Sequence, residues 1–279
     1  MKLCYQVATP DVAIAESVTA YQGSLNKSFG DLAKMGYDGV ELMTLDPSKL
    51  DWSEVKDTAK YFDLFIGLIC TGEIFGQLHL SFADPDPSIR QEAIERVKSI
   101  IDFAAFLHAK INIGRVRGRY YPEVDKMQTI DWAVQALQAL CDYADPKGVD
   151  IALETVTILQ TNFINTMEEG KYIMDRVGRH NLKMMMDIFH MNIEEKNLYE
   201  AIKSFSSDNI YVHLSDNNRR FPGNCGLDFK KIIRTFHDTG YDGFYCTEIL
   251  QTPSMKEAAR NSIEFLAPIF KEVYGRELK

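Results

Sequence analysis

Gly36-Tyr37-Asp38-Gly39-Val40-Glu41, near the start of the chain, returns near its end as Gly240-Tyr241-Asp242-Gly243-Phe244-Tyr245. Each passage reads as a helix handing over to a strand: a glycine where the helix stops, a short polar turn, then β-prone residues. The same handover recurs outward from these two copies. Short β-rich runs stand at residues 3–7, 40–43, 65–71, 111–116, 151–156, 182–188, 210–215 and 244–249. Most are nearly continuous in apolar residues, as strands buried on both faces are. Between them lie amphipathic stretches. The clearest covers residues 88–108, where Ile94, Val97, Ile101, Ala104 and Ala105 recur at helical spacing behind Pro87 and Ser88.

Eight strand–helix units in 279 residues predict a single (β/α)8 TIM barrel, a fold that typically needs about 250 residues. An open, doubly wound sheet shares the alternation, but no glycine-rich dinucleotide fingerprint follows the first strand. No linker or low-complexity segment divides the chain, so residues 1–279 are expected to form one domain.

Composition narrows the function classes. The chain carries 40 acidic and 31 basic residues, a net charge of -9, with no Lys/Arg-rich block. Nucleic-acid binders carry a basic patch or stripe, so no nucleic-acid partner is expected. No run of about 18 apolar residues occurs, so no membrane partner is expected either. Cys4, Cys70, Cys141, Cys225 and Cys246 are scattered and odd in number, without a Cys-x-x-Cys pair. That reads as reduced thiols in a cytoplasmic protein. The first apolar run is too short for a signal peptide.

In a TIM barrel the chemistry sits at the C-terminal ends of the strands. Strand five ends at Glu154, strand six runs through three methionines to Asp187, strand seven carries His213, and strand eight ends at Glu248. A buried charge costs several kcal/mol unless compensated. These strands supply no lysine or arginine near the four groups, so a metal is the economical cation. Three oxygen donors and one imidazole suit one divalent ion, Mn²⁺ foremost, with Mg²⁺, Co²⁺ or Zn²⁺ as alternatives. Such an ion polarises a carbonyl and stabilises an enediolate, and a neighbouring carboxylate can move a carbon-bound proton. Other polar residues have two readings. Arg115, Arg117 and Arg119 follow strand four and either neutralise acids on nearby loops, or Arg117 grips a substrate carboxylate or phosphate. Glu73 faces substrate or solvent.

Asp187-Ile188-Phe189-His190-Met191-Asn192-Ile193-Glu194-Glu195 resembles a run found in the ketose 3-epimerases of the xylose-isomerase-like TIM-barrel superfamily. Further matching stretches are Ile69-Cys70-Thr71-Gly72, Ile113-Gly114-Arg115-Val116-Arg117-Gly118-Arg119, Asn162-Phe163-Ile164-Asn165-Thr166 and Ser215-Asp216-Asn217-Asn218-Arg219. The last three are most similar to the 5-keto-L-gluconate epimerase branch. The resemblance implies that Glu154, Asp187, His213 and Glu248 hold the metal. It implies that Glu154 and Glu248 also form the acid/base pair for C3 epimerisation, and that His190 and Arg219 contact substrate oxygens. A small ketose or keto-sugar acid is the implied partner, and a homo-oligomer, dimer or tetramer, the implied assembly. One position departs from the pattern: Gln160 stands where the family usually has a glutamate beside the substrate hydroxyls. Thr157-Ile158 replaces an Asn-Arg of the sugar-acid branch. The alternatives are therefore an aldose–ketose or hydroxypyruvate-type isomerase, a sugar-phosphate epimerase, or a catalytically altered sugar binder.

Overall fold

The computed structural model describes residues 1–275. Eight parallel strands close into one barrel in sequential order: β1 Lys2–Ala8, β2 Gly39–Met43, β3 Phe65–Cys70, β4 Lys110–Ile113, β5 Ile151–Glu154, β6 Leu182–Asp187, β7 Asn209–Leu214 and β8 Phe244–Thr247. Ten α-helices accompany them: α1 Leu25–Met35, α2 Trp52–Tyr61, α3 Gly72–Leu78, α4 Pro87–Leu107, α5 Lys126–Ala144, α6 Met167–Val177, α7 Ile188–Glu194, α8 Leu198–Phe205, α9 Phe229–Asp238 and α10 Met255–Tyr274. The TIM barrel expected from the alternation is the observed fold. No helix among the described residues is long and apolar enough to cross a membrane.

The two-residue period of a strand sorts its side chains. Leu3, Tyr5 and Val7 of β1 face the helices and join the large outer core. Cys4 and Ala8 face inward, with Leu68, Cys70, Ala152, Met185, Tyr211 and Cys246 around them. The barrel interior is thus plugged at mid-height by small and apolar side chains. By the same period, Gln6, Glu41, Asn112, Glu154, Asp187 and His213 also turn inward, all buried and all polar.

Several element ends differ from the sequence expectation, each for a local reason. β4 stops at Ile113 rather than 116 because Gly114 leaves the strand region (φ -96°, ψ -116°), and Arg115–Arg117 form a 3₁₀ turn. β6 stops at Asp187 because its carboxylate accepts the Phe189 and His190 amides and starts α7. The helix expected over 88–108 spans Pro87–Leu107, with Asp86 as its N-cap and His108 in the left-handed region at its end. Gly36 and Gly240, the glycines of the repeated passage, both have positive φ, 97° and 82°. A side chain there would be strained, so each glycine fixes a helix-to-strand handover.

Candidate metal centre and active site

Four strands deliver Glu154, Asp187, His213 and Glu248 to one point at the C-terminal mouth. One ligand-type atom from each lies within 4.8 Å of the others, and all four residues are buried. His213 Nδ1 lies 3.0 Å from Glu248 Oε2, 3.5 Å from Glu154 Oε1 and 3.6 Å from Asp187 Oδ2. It makes no hydrogen bond of good geometry to any of them. The other ring nitrogen, Nε2, sits 2.8 Å from Glu41 Oε2. Glu41 therefore accepts the Nε2 proton and turns the Nδ1 lone pair toward the cluster.

Each carboxylate is anchored by one oxygen and turned inward by the other. Glu154 Oε2 accepts from Asn112 Nδ2 at 2.9 Å, and the Thr71 amide holds Asn112 in turn. Asp187 Oδ1 is spent on the α7 amides. Glu248 Oε1 accepts from Thr19 Oγ1 at 3.1 Å and Gln6 Nε2 at 3.3 Å. Gln6 also donates to Glu41 Oε1 at 2.7 Å. The inward set is then Glu154 Oε1, Asp187 Oδ2, Glu248 Oε2 and His213 Nδ1. Gly114 makes room for it, because a Cβ there would fall 2.6 Å from Glu154 Oε2.

Charge decides what such a set holds. Four buried carboxylates (Glu41, Glu154, Asp187 and Glu248) converge here. Among the described residues the guanidinium that joins them is Arg219, which donates from Nη1 to Asp187 Oδ2 at 2.8 Å and from Nη2 to Glu248 Oε2. The strands bring no basic side chain to these acids, as expected from the sequence; the loop after β7 does. Burial raises the Asp187 carboxyl, yet Arg219 and His190 outweigh burial and hold it well below its ordinary range. Burial also opposes ionisation of Glu248, and Arg219 and His213 bring it to about 2. Glu154 has no such guanidinium; burial pushes it up despite His213. On His213, burial favours the neutral ring, but Glu41 and Glu248 raise it well above its usual value. Even with a proton on His213, four negative groups face two positive ones. A divalent cation replacing that proton fits both the deficit and the donor set, three oxygens and one imidazole nitrogen.

The pocket above the cluster encloses about 180 Å³ and is lined by Glu154, Glu248, His190, Arg219, Gln160 and Glu73, with Arg115 and Thr19 beside them. His190 is buried and stays neutral at physiological pH, because burial lowers it to about 4 against the pull of Asp187. Glu73 is paired with Arg115 at 2.7 Å. Arg117 requires a correction. It is fully buried and does not line the pocket. Its guanidinium donates to the carbonyls of Gly114, Phe163 and Ile164 at 2.7–3.0 Å, clipping the turn after β4 to the loop after β5. Glu41, Gln6 and Asn112 went unnominated in the sequence. Their signal was the one that exposed the ligands, a polar side chain at an inward position of an apolar strand.

The pattern of the family described as Xylose isomerase-like TIM barrel matches residues 29–269. The chain is 33% identical to a D-psicose 3-epimerase of Enterocloster bolteae over 227 residues, 78% of this chain and 74% of that protein. It is 28% identical to an L-ribulose 3-epimerase of Methylomonas sp. (strain DH-1) over 224 residues, 78% of this chain and 75% of the other. In fold it is similar to the IOLI protein, whose crystal structure holds a zinc atom (TM-score 0.77, 20% identity, covering 99% of this chain and 100% of that one).

Proposed function

The chain belongs to the xylose isomerase-like TIM barrel family, and from that premise we propose that it is a metal-dependent isomerase that epimerises a ketose or keto-sugar acid at C3. The observation that carries this reading is the inward set of one oxygen from each of Glu154, Asp187 and Glu248 around the Nδ1 of His213. A divalent ion held there, which we assign as Mn²⁺ ahead of Mg²⁺, Co²⁺ and Zn²⁺, supplies a Lewis acid that polarises the substrate carbonyl and offsets the charge that develops on its oxygen.

The chain's own residues do the rest. Glu154 and Glu248 come from strands three places apart round the barrel, so they reach the substrate carbon from different sides. One carboxylate takes the C3 proton, and the C–H electron pair moves toward the carbonyl oxygen to give an enediolate. The other carboxyl delivers a proton to the opposite face of C3. In the reverse direction the two exchange roles. Arg219 and neutral His190 border the same pocket as hydrogen-bond donors for substrate oxygens. Gln160 offers an amide where a glutamate is usual in the family, so it can both donate to and accept from a hydroxyl. The reading extends to a small-molecule substrate and a cytoplasmic homo-oligomer, dimer or tetramer, without nucleic-acid or membrane partners. It rests there on the family and on the acidic charge balance.

The test is direct. Purified protein with Mn²⁺ should interconvert C3-epimeric ketoses or keto acids and incorporate deuterium at C3 from deuterated water. An absence of exchange across a broad panel of both would sink the proposal.

A further inference from the structure

A larger cavity, about 930 Å³, lies at the other end of the barrel, around the first residues of the strands. Lys2, Phe65, Lys110 and Phe244 open β1, β3, β4 and β8. Phe65 and Phe244 meet edge to face at 5.3 Å between centroids, and Phe244 stacks on buried Tyr211 at 5.8 Å. The two rings close the base of the barrel, Phe65 edge to face with Phe244 and Phe244 backed by Tyr211. Lys2 Nζ stands 5.7 Å from the Phe65 centroid, and Lys110 Nζ 5.1 Å from that of Phe244. Lys56 and Lys60 of α2 complete the wall, and Lys56 Nζ is held by the Phe106 carbonyl at 3.2 Å.

These ammonium groups are positioned mainly by ring faces and a carbonyl rather than by carboxylates. The lining contains two acids, Asp38 and Asp63, against four lysines. Asp38 lies 3.8 Å from Lys2 Nζ, and its other oxygen accepts the Leu3 amide. The cavity is therefore locally positive in a chain of net charge -9. A concave wall of one sign focuses its potential on whatever enters it. Lysines act as separate point charges without the planar fork that suits a lone carboxylate, so several of them round one space match a phosphate dianion.

We infer that this floor cavity is a second binding site, for a small phosphate-bearing molecule whose phosphate sits among Lys2, Lys56, Lys60 and Lys110. The site is concave and set in an acidic protein, which favours a small ligand over a membrane surface or a nucleic acid. It is independent of the metal centre at the opposite mouth.

Calorimetric titration of the metal-loaded protein at low salt tests this, with pyrophosphate, ribose 5-phosphate and AMP as probes. Saturable binding of one equivalent of each probe is expected. Added salt should weaken it, as it screens exposed charges. The double variant Lys56→Gln/Lys110→Gln should lose affinity at least roughly tenfold while keeping its metal content and isomerase turnover and melting no lower than the unaltered protein. Lys2→Gln should show a smaller loss of the same kind. Three outcomes overturn the inference: no binding of any probe, binding undiminished in the folded double variant (as for a phosphate drawn to the metal), or binding to phosphatidylglycerol vesicles alone.

Discussion

The two ends of this barrel are built from the same strands and do opposite things with charge. At the C-terminal mouth the ionisable groups are buried and interlocked, and the pocket is small, about 180 Å³. At the N-terminal floor the cavity is about 930 Å³, and four lysines line its wall. Cavity size alone would point to the wrong end for catalysis. What separates the ends is preorganisation: each mouth carboxylate has one oxygen fixed by a hydrogen bond and the other turned toward His213 Nδ1, with Arg219 also bonded to the inward oxygens of Asp187 and Glu248. Groups fixed in that way act on developing charge without reorganising. The floor groups can gather an anion but have no partner set that fixes a reacting atom.

The sharpest way to break this contrast is to remove one proton carrier at the mouth. Glu154→Gln and Glu248→Gln keep side-chain size and one donor oxygen. Each should lower turnover by about 10²–10⁴-fold, the usual range for a positioned acid or base. The losses should differ in kind. In deuterated water one variant should fail to exchange C3 of one epimer, and the other variant C3 of its counterpart. The double variant should be far less than multiplicatively worse, because the pair acts as a unit. Equal exchange of both epimers by both variants would mean that the two carboxylates do not divide the faces between them.

Next in size is metal affinity. Glu41 touches no inward oxygen of the set, yet it holds the Nε2 side of His213. Glu41→Gln replaces an acceptor by an amide that can present its NH₂ group instead and favour the other tautomer. Metal affinity should fall by about 10–100-fold, as it does when the partner of a ligating histidine is lost. A competition titration with a chromophoric chelator reads this without any substrate. In the unaltered protein, chelator should abolish turnover, and restoring metal should raise the melting temperature, because a ligand of the native state stabilises it by about 2.7 kcal/mol at 100 times its Kd.

The fold was legible because eight apolar runs and two copied handovers carry their own geometry. The candidate ligands were legible because a charge ending an apolar strand has few bland explanations. Glu41, Gln6 and Asn112 show the same anomaly, but their purpose lies in partners across the barrel: Glu41 meets a histidine 172 positions away, and Gln6 meets Glu248 at a separation of 242. Arg219 was nominated for substrate, but its role as counter-ion was hidden. It reaches the acids from a loop in which it adopts a left-handed conformation, φ 59°. The choice among Arg115, Arg117 and Arg119 was hidden for a different reason. A short 3₁₀ turn places Arg115 beside the pocket and buries Arg117 under a loop, and alternation in sequence does not foretell that.

Arg117 gives the third test, on stability rather than chemistry. Its donors satisfy three backbone carbonyls, and burial lowers its pKa to about 10, still charged at neutral pH. Arg117→Lys keeps the charge but cannot span all three acceptors. Stability to urea should drop by about 2–4 kcal/mol through the carbonyls left unpaired, while the Michaelis constant stays within about twofold at a temperature where the variant is folded. A change in the Michaelis constant alone would return Arg117 to the substrate.

The smallest effect belongs to the floor, and its sign carries the meaning. Lys60 is exposed and, among the described residues, no ion pair engages it. Near Lys56 and Lys110 it contributes repulsion when nothing anionic is present. Lys60→Gln should therefore raise the melting temperature by roughly one degree at low salt, and high salt should erase the gain because exposed charges beyond about a Debye length are screened. With phosphate or AMP present the order should invert, since the unaltered protein then gains more from the bound anion. If Lys60→Gln were to destabilise the protein at low salt without anion, the floor lysines would be part of the packing, and the two ends would differ less than their charges suggest.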